Sequence, residues 1–149
     1  IDIVKEQIKI ADSKKLDIRQ DDIKIKGHAI ECRINAEKPA KNFLPSPGQI
    51  TNLHMPGGCG VRIDTAIYHN YIIPSNYDSL IGKLIVHGDN RESAIKKLIG
   101  VLGEFVIEGV DTNTDFLFSR VNNDKYKYES VDTGIAEKLL DESRMKTVS

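Results

Sequence analysis

Along residues 1–14, IDIVKEQIKIADSK, Ile1, Val4, Ile8 and Ala11 recur at helical spacing while Lys5, Glu6 and Lys9 fall on the other side. That pattern predicts an amphipathic helix. After Asp21-Asp22 the period changes to two. IKIK and HAIECRINAE alternate across Gly27, which predicts a strand that is bulged or closely approached at the glycine. EKPAKNFLPSPGQ holds three of the five prolines and reads as a loop held by its own Phe43 and Leu44. GQITNLHM and VRIDTAI are strand-like on either side of PGGCG, so residues 48–67 read as a hairpin with a glycine-rich tip. IIPSNYD turns the chain, and LIGKLIVHG is apolar enough for a buried strand.

Helices follow. Asn90 is an N-cap candidate for RESAIKKLIGVLGEFV, where Ala94, Leu98, Val101, Leu102 and Phe105 make one stripe. Gly100 and Gly103 each cost about 1 kcal/mol relative to alanine, so packing must hold this helix. TNTDFLFSRVN reads as a helix opened by a threonine cap, and VDTGIAEKLLDE as a last one. A helix, a run of mostly antiparallel strands and then helices define the α+β class. Any domain boundary falls near residues 16–22.

Composition narrows the partners. With 149 residues, 40% of them hydrophobic, the chain can bury one core without staples. Its 21 basic and 22 acidic side chains are interspersed, for a net charge of -1. That balance argues against a nucleic-acid footprint or a polybasic membrane patch. No apolar run reaches the roughly 20 residues that span a bilayer, and the start does not read as a signal peptide. The chain reads as soluble and cytoplasmic. Beginning at Ile1, directly in an amphipathic pattern, it also reads as a piece of something longer.

Candidate chemistry is sparse. The two cysteines, Cys32 and Cys59, share no metal or disulfide spacing. Cys32 falls on the apolar side of its strand and reads as a small inert hydrophobe. PGGCG continues into strand rather than into a helix N-terminus, so a tight turn is favoured over a contact surface or a phosphate cradle. The four histidines lack ligand spacing, and no nucleophile motif is present. Glu31, Arg33 and Asn35 remain, spaced about 7 Å apart on one strand face. They can form a solvated ion-pair face or the wall of a site where a guanidinium holds a developing oxyanion. Asp78, in NYDSLIGK, is likewise a turn former or a ligand.

GHAIECRINAE, FLPSPGQI, PGGCGVRID, YDSLIGKLI and EGVDTNTDFL resemble, in order and spacing, the C-terminal part of the biotin carboxylase subunit or domain of biotin-dependent carboxylases. The resemblance runs from Ile1 to about Leu140. It implies ATP- and Mg²⁺-dependent activation of bicarbonate and carboxylation of biotin on a carrier protein, in company with a carboxyltransferase. It implies that Arg33 stabilises the enolate-like ureido anion and contacts biotin and the bicarbonate or phosphate site, that Asp78 lies on the biotin side, and that Ile135 lies near the adenine. It places Arg62 at a homodimer contact, beside Cys59 where a bulky aromatic is expected. The glycine-rich lid, phosphate-binding lysines, metal-binding glutamates and catalytic glutamate of such enzymes lie N-terminal to Ile1, and Glu31 and Glu37 are not among them. Residues 1–22 are then expected to be the end of an ATP-grasp domain and 23–149 the biotin carboxylase C-terminal domain. The expected parent is the biotin carboxylase subunit of acetyl-CoA carboxylase, with DESRMKTVS as a chain end. Pyruvate or propionyl-CoA carboxylase, or a purely structural dimerisation module, are the alternatives. The chain alone is expected to be inactive and to bind none of these cofactors by itself.

Overall fold

A computed structural model describes residues 1–128. The expected last helix, VDTGIAEKLLDE, and Ile135 within it lie outside the described residues. The architecture is α+β, helices packed on antiparallel sheet with no closed barrel.

Three strands make the main sheet, in the order β1-β8-β6. They are β1 (His28–Asn35), β6 (Val61–Thr65) and β8 (Leu80–Gly88). LIGKLIVHG is the central one, as its apolar run predicts. β1 runs antiparallel to it from His28↔Gly88 to Ile34↔Gly82, then slips so that Asn35 meets Leu80 and Ile81 is the extra residue. β6 pairs with the other edge from Val61↔Val86 to Thr65↔Gly82. Alternation puts Cys32, Ile34, Leu84 and Val86 on one face, and these are buried. That face packs on α2 (Arg91–Glu104), whose Ala94, Ile95, Leu98, Val101 and Leu102 are buried. Asn90 caps α2 through its side-chain oxygen, which accepts from Ser93 N–H at 2.9 Å. Both glycines of α2 are therefore carried by packing, as their cost requires.

Several sequence expectations are corrected. The strand begins at His28, because IKIK pairs with no strand among the described residues and Ile25 is 94% exposed. Gly27 is the close approach: its φ is +70°, and a Cβ there would collide with the Gly88 carbonyl and the His87 ring. The proline-rich loop holds a small hairpin, β2 (Glu37–Lys38) with β3 (Leu44–Pro45). It is not held by its own side chains, since Phe43 stacks edge-on against Phe116 at 5.1 Å and Leu44 is exposed. Residues 48–67 are not a hairpin. β4 (Gly48–Gln49) pairs with β7 (Ile72–Ile73), β5 (Asn52–His54) with β9 (Val106–Glu108), and β6 with β8. Alternation assigns faces, and three successive segments with similar faces have three different partners.

α1 (Ile3–Ala11) is capped by Asp2 and shorter than its sequence pattern. It buries no residue, and Val4 and Ile8 on its apolar side are exposed. α3 (Thr114–Val121) has Asn113, not a threonine, in the cap position, and the Asn113 side chain does not cap it. A short α4 (Asp124–Tyr128) follows, its last carbonyls held by the Arg91 guanidinium. No helix among the described residues is long and apolar enough to cross a membrane.

Candidate functional site

The other face of the main sheet is polar. Register places Glu31, Ile85 and Arg62 in one row across β1, β8 and β6, and Arg33, Lys83 and Asp64 in the next. Arg33 is 69% exposed in its side chain, and its only close carboxylate among the described residues is Glu31, with Nε to Oε1 at 3.8 Å. An exposed pair at that distance contributes little and leaves the guanidinium available. Arg62, by contrast, forks onto Asp64, with Nε and Nη2 each 2.8 Å from a carboxylate oxygen. That hydrogen bonding holds Asp64 below the ordinary carboxylate range. Asn35 is drawn into a local network instead: its Nδ2 donates to Glu37 at 3.2 Å, and Ser79 Oγ donates to the same carboxylate.

What fixes Arg33 is its backbone. β1 is an edge strand, so its outward amides and carbonyls have no sheet partner. Asn113, buried at the start of α3, supplies one. Its Nδ2 donates to the Arg33 carbonyl at 3.0 Å, its Oδ1 accepts from Asn35 N–H at 2.9 Å, and its own N–H donates to the Asn35 carbonyl at 3.1 Å. One asparagine thus substitutes for a neighbouring strand where the β1–β8 ladder slips. Replacing it by alanine removes two hydrogen bonds from partly buried groups and should destabilise the chain by about 1–3 kcal/mol. Urea unfolding of Asn113→Ala checks this; an unchanged midpoint would show that water satisfies the edge equally well.

Beside this row lies a cleft of about 390 Å³, lined by Asp78, Lys83, Tyr77, Tyr71, Leu80 and Ile67 among others. Asp78 shapes its rim: Oδ1 accepts from Leu80 N–H at 2.9 Å, the turn-forming role that its sequence context allows. Arg33 is not in the lining but stands directly across from Lys83. Cys32 is buried, and burial, with a lesser push from Glu31, raises its thiol to about 11, so it stays protonated and inert.

Cys59 and Arg62 are both exposed near the open edge of β6. The turn that carries Cys59 is strapped to α2, where Lys97 Nζ donates to the Cys59 carbonyl at 2.8 Å and the His87 carbonyl at 2.7 Å. Gly60, at φ +70°, lets the chain pass under that lysine. Among the described residues no group of three or more His, Cys, Asp or Glu is placed to hold a metal ion. Sequence reasoning passed over Lys83 and Asn113. Lys83 carried a signal, as the only charge in the apolar run LIGKLIV; Asn113 carried none beyond lying in TNTD.

A family model, the biotin carboxylase C-terminal domain, matches residues 31–138. The biotin carboxylase of Allochromatium vinosum is 51% identical over 140 residues, covering 94% of this chain and 31% of that protein. A pyruvate carboxylase subunit of Methanothermobacter thermautotrophicus is 49% identical over 127 residues, covering 85% of this chain and 26% of that protein. Among solved structures, the biotin carboxylase domain of Hydrogenobacter thermophilus 2-oxoglutarate carboxylase, a dimer in complex with MgADP, ADP and bicarbonate, matches with a TM-score of 0.88 at 40% identity. That match covers 93% of this chain and 30% of the solved one. The chain thus spans about a third of the length of the curated relatives it matches.

Proposed function

The chain belongs to the biotin carboxylase C-terminal domain family, and from that premise we propose that it is the C-terminal part of a biotin carboxylase, contributing one wall of the site where biotin on a carrier protein is carboxylated. The observation that carries this reading is Arg33, an exposed guanidinium on a strand end clamped by Asn113, beside a cleft holding Asp78. A ureido nitrogen is a poor nucleophile until its proton is removed, and negative charge then collects on the ureido oxygen. A cation already fixed at that oxygen stabilises the anion without reorganisation. Guanidinium suits this task because it stays charged and presents a planar fork of donors. Asp78 meets the bound biotin from the cleft.

The relatives are about three times as long as this chain, and in this reading ATP and Mg²⁺ are bound by their ATP-grasp domain, with Ile135 as an apolar contact to the adenine. The bare apolar side of α1 supports assigning residues 1–22 to the end of that domain and 23–149 to the C-terminal one. Given ATP, Mg²⁺, bicarbonate and biotin, the chain alone is expected to release no bicarbonate-dependent ADP while the full-length parent does. Turnover by the chain alone would refute this division of labour.

The parent is assigned to acetyl-CoA carboxylase, acting with a biotin carboxyl carrier protein and a carboxyltransferase in the first half-reaction leading to fatty acids. The 49% identity to a pyruvate carboxylase subunit favours a second reading, the same domain serving a keto-acid carboxylase. Supplying the carboxylated carrier to an acetyl-CoA or a pyruvate carboxyltransferase separates the two. Arg62, exposed near an open sheet edge, and Cys59 beside it form part of a homodimer contact, a reading supported by the dimeric relative. Sedimentation velocity of the parent is expected to show a dimer that Arg62→Glu shifts to monomer. A dimer in both proteins would remove this surface from the interface.

A further inference from the structure

The outer half of the PGGCG turn stands clear of the fold. A Cβ built at Gly57 or Gly58 would meet no atom within 4 Å among the described residues. The bonds that shape the turn gather at its inner end. Val61 N–H closes it on the Gly58 carbonyl at 3.1 Å, and His87 N–H donates to the Gly60 carbonyl at 2.8 Å. The Cys59 carbonyl is taken by Lys97 of α2, whose Nζ also donates to the His87 carbonyl. Both are charge-assisted bonds, the stronger kind. Gly60 completes the fit, because at φ +70° a Cβ would collide with the Lys97 ammonium and the His87 carbonyl. His87 is itself pinned from the far side: it pairs with Ala29 on β1, and its ring Nε2 donates to the Lys26 carbonyl at 2.9 Å.

The fold has other means of holding these elements together. β6 is laddered to β8 from Val61 to Thr65, and α2 is docked by Ala94, Ile95, Leu98, Val101 and Leu102. What Lys97 adds is the shape of the turn. We propose that Lys97 is a positioning residue for the association of two copies of this chain, setting the turn in the form in which Cys59 and Arg62 meet the partner copy. The inference rests on the dimer contact read above and adds to it a residue on α2 that acts through the turn. A segment ordered before docking spares the complex the entropy of ordering it, which otherwise weakens binding. In a twofold dimer the same patch is used by both subunits, so a loosened turn counts twice.

The test is sedimentation equilibrium of the full-length parent as wild type, Lys97→Met, Arg62→Glu and the double variant. Methionine keeps the length of the stem and removes the ammonium. Lys97→Met is expected to raise the dimer dissociation constant about 10- to 100-fold. Melting temperature and amide exchange are compared in the monomeric Arg62→Glu background, where association cannot contribute to stability. There, adding Lys97→Met should speed exchange at Val61, which closes the turn, and leave the melting temperature and exchange at Leu84 unchanged. An unaltered dissociation constant in Lys97→Met, with Arg62→Glu monomeric, would overturn the proposal alone. A lowered melting temperature with faster exchange at Leu84 would overturn it too, since Lys97 would then support the whole fold. A parent that stays dimeric in Arg62→Glu would instead overturn the reading of this surface as the dimer contact, and the proposal with it.

Discussion

Arg33→Ala in the full-length parent is expected to lower biotin carboxylation by about 100- to 1,000-fold, the loss typical of removing one preorganised donor from an oxyanion site. ATP affinity should hardly change, because in the proposed division of labour the nucleotide is held by the ATP-grasp domain and not by the sheet face that carries Arg33. Stability should change by no more than about 0.5 kcal/mol, since the side chain is exposed and its one ion pair among the described residues is long. The backbone bonds to Asn113 are unaffected by the substitution, so the strand end stays in place and the loss reports the side chain alone. Arg33→Lys keeps the charge but not the fork, and should recover only part of the rate. Carboxylation that survives in Arg33→Ala, with ATP affinity lost instead, would move this residue to the nucleotide side.

The largest effect on stability is expected at Leu84. It is fully buried at the centre of the middle strand, opposite Cys32 on one side and Ile63 on the other, in the cluster that includes Leu98 and Ile95 of α2. Leu84→Ala should cost about 2–5 kcal/mol, through lost burial and the cavity left between sheet and helix. Domains of this size are stable by only about 5–15 kcal/mol, so the variant should unfold at a clearly lower urea concentration. Leu44→Ala is the control, because Leu44 is 57% exposed and its loss should be nearly silent. Equal shifts in the two variants would mean that the core is not where the sheet meets α2.

The parts of this fold that were legible in the sequence are those set by local rules. α2 shows its period and its Asn90 cap, and β8 is a continuous apolar run with one charge in it. Partner choice was not legible. Asn52–His54 pairs with Val106–Glu108, about 50 residues further on, although Val61–Thr65 lies closer in the chain and has a comparable pattern. IKIK alternates as convincingly as HAIECRIN, yet among the described residues only the latter has a strand to pair with. At the site, the alternation of β1 correctly separated Cys32 and Ile34 from Glu31 and Arg33. The resemblance, not the pattern, selected Arg33 among the polar residues. The register that sets Lys83 opposite Arg33 and the backbone bonds of Asn113 arise only once distant segments meet, which no local window displays.

The Asn113 clamp also has a kinetic side. Its bonds to Asn35 and Arg33 close spans of 78 and 80 residues, whereas the first turn of α2 is capped by a neighbour three residues away. Contacts across long spans form after local ones, because the chain entropy between them must be lost first. During synthesis, then, the strand that bears Arg33 stays an open edge until the ribosome has delivered α3, and the wall of the site is among the last features to set.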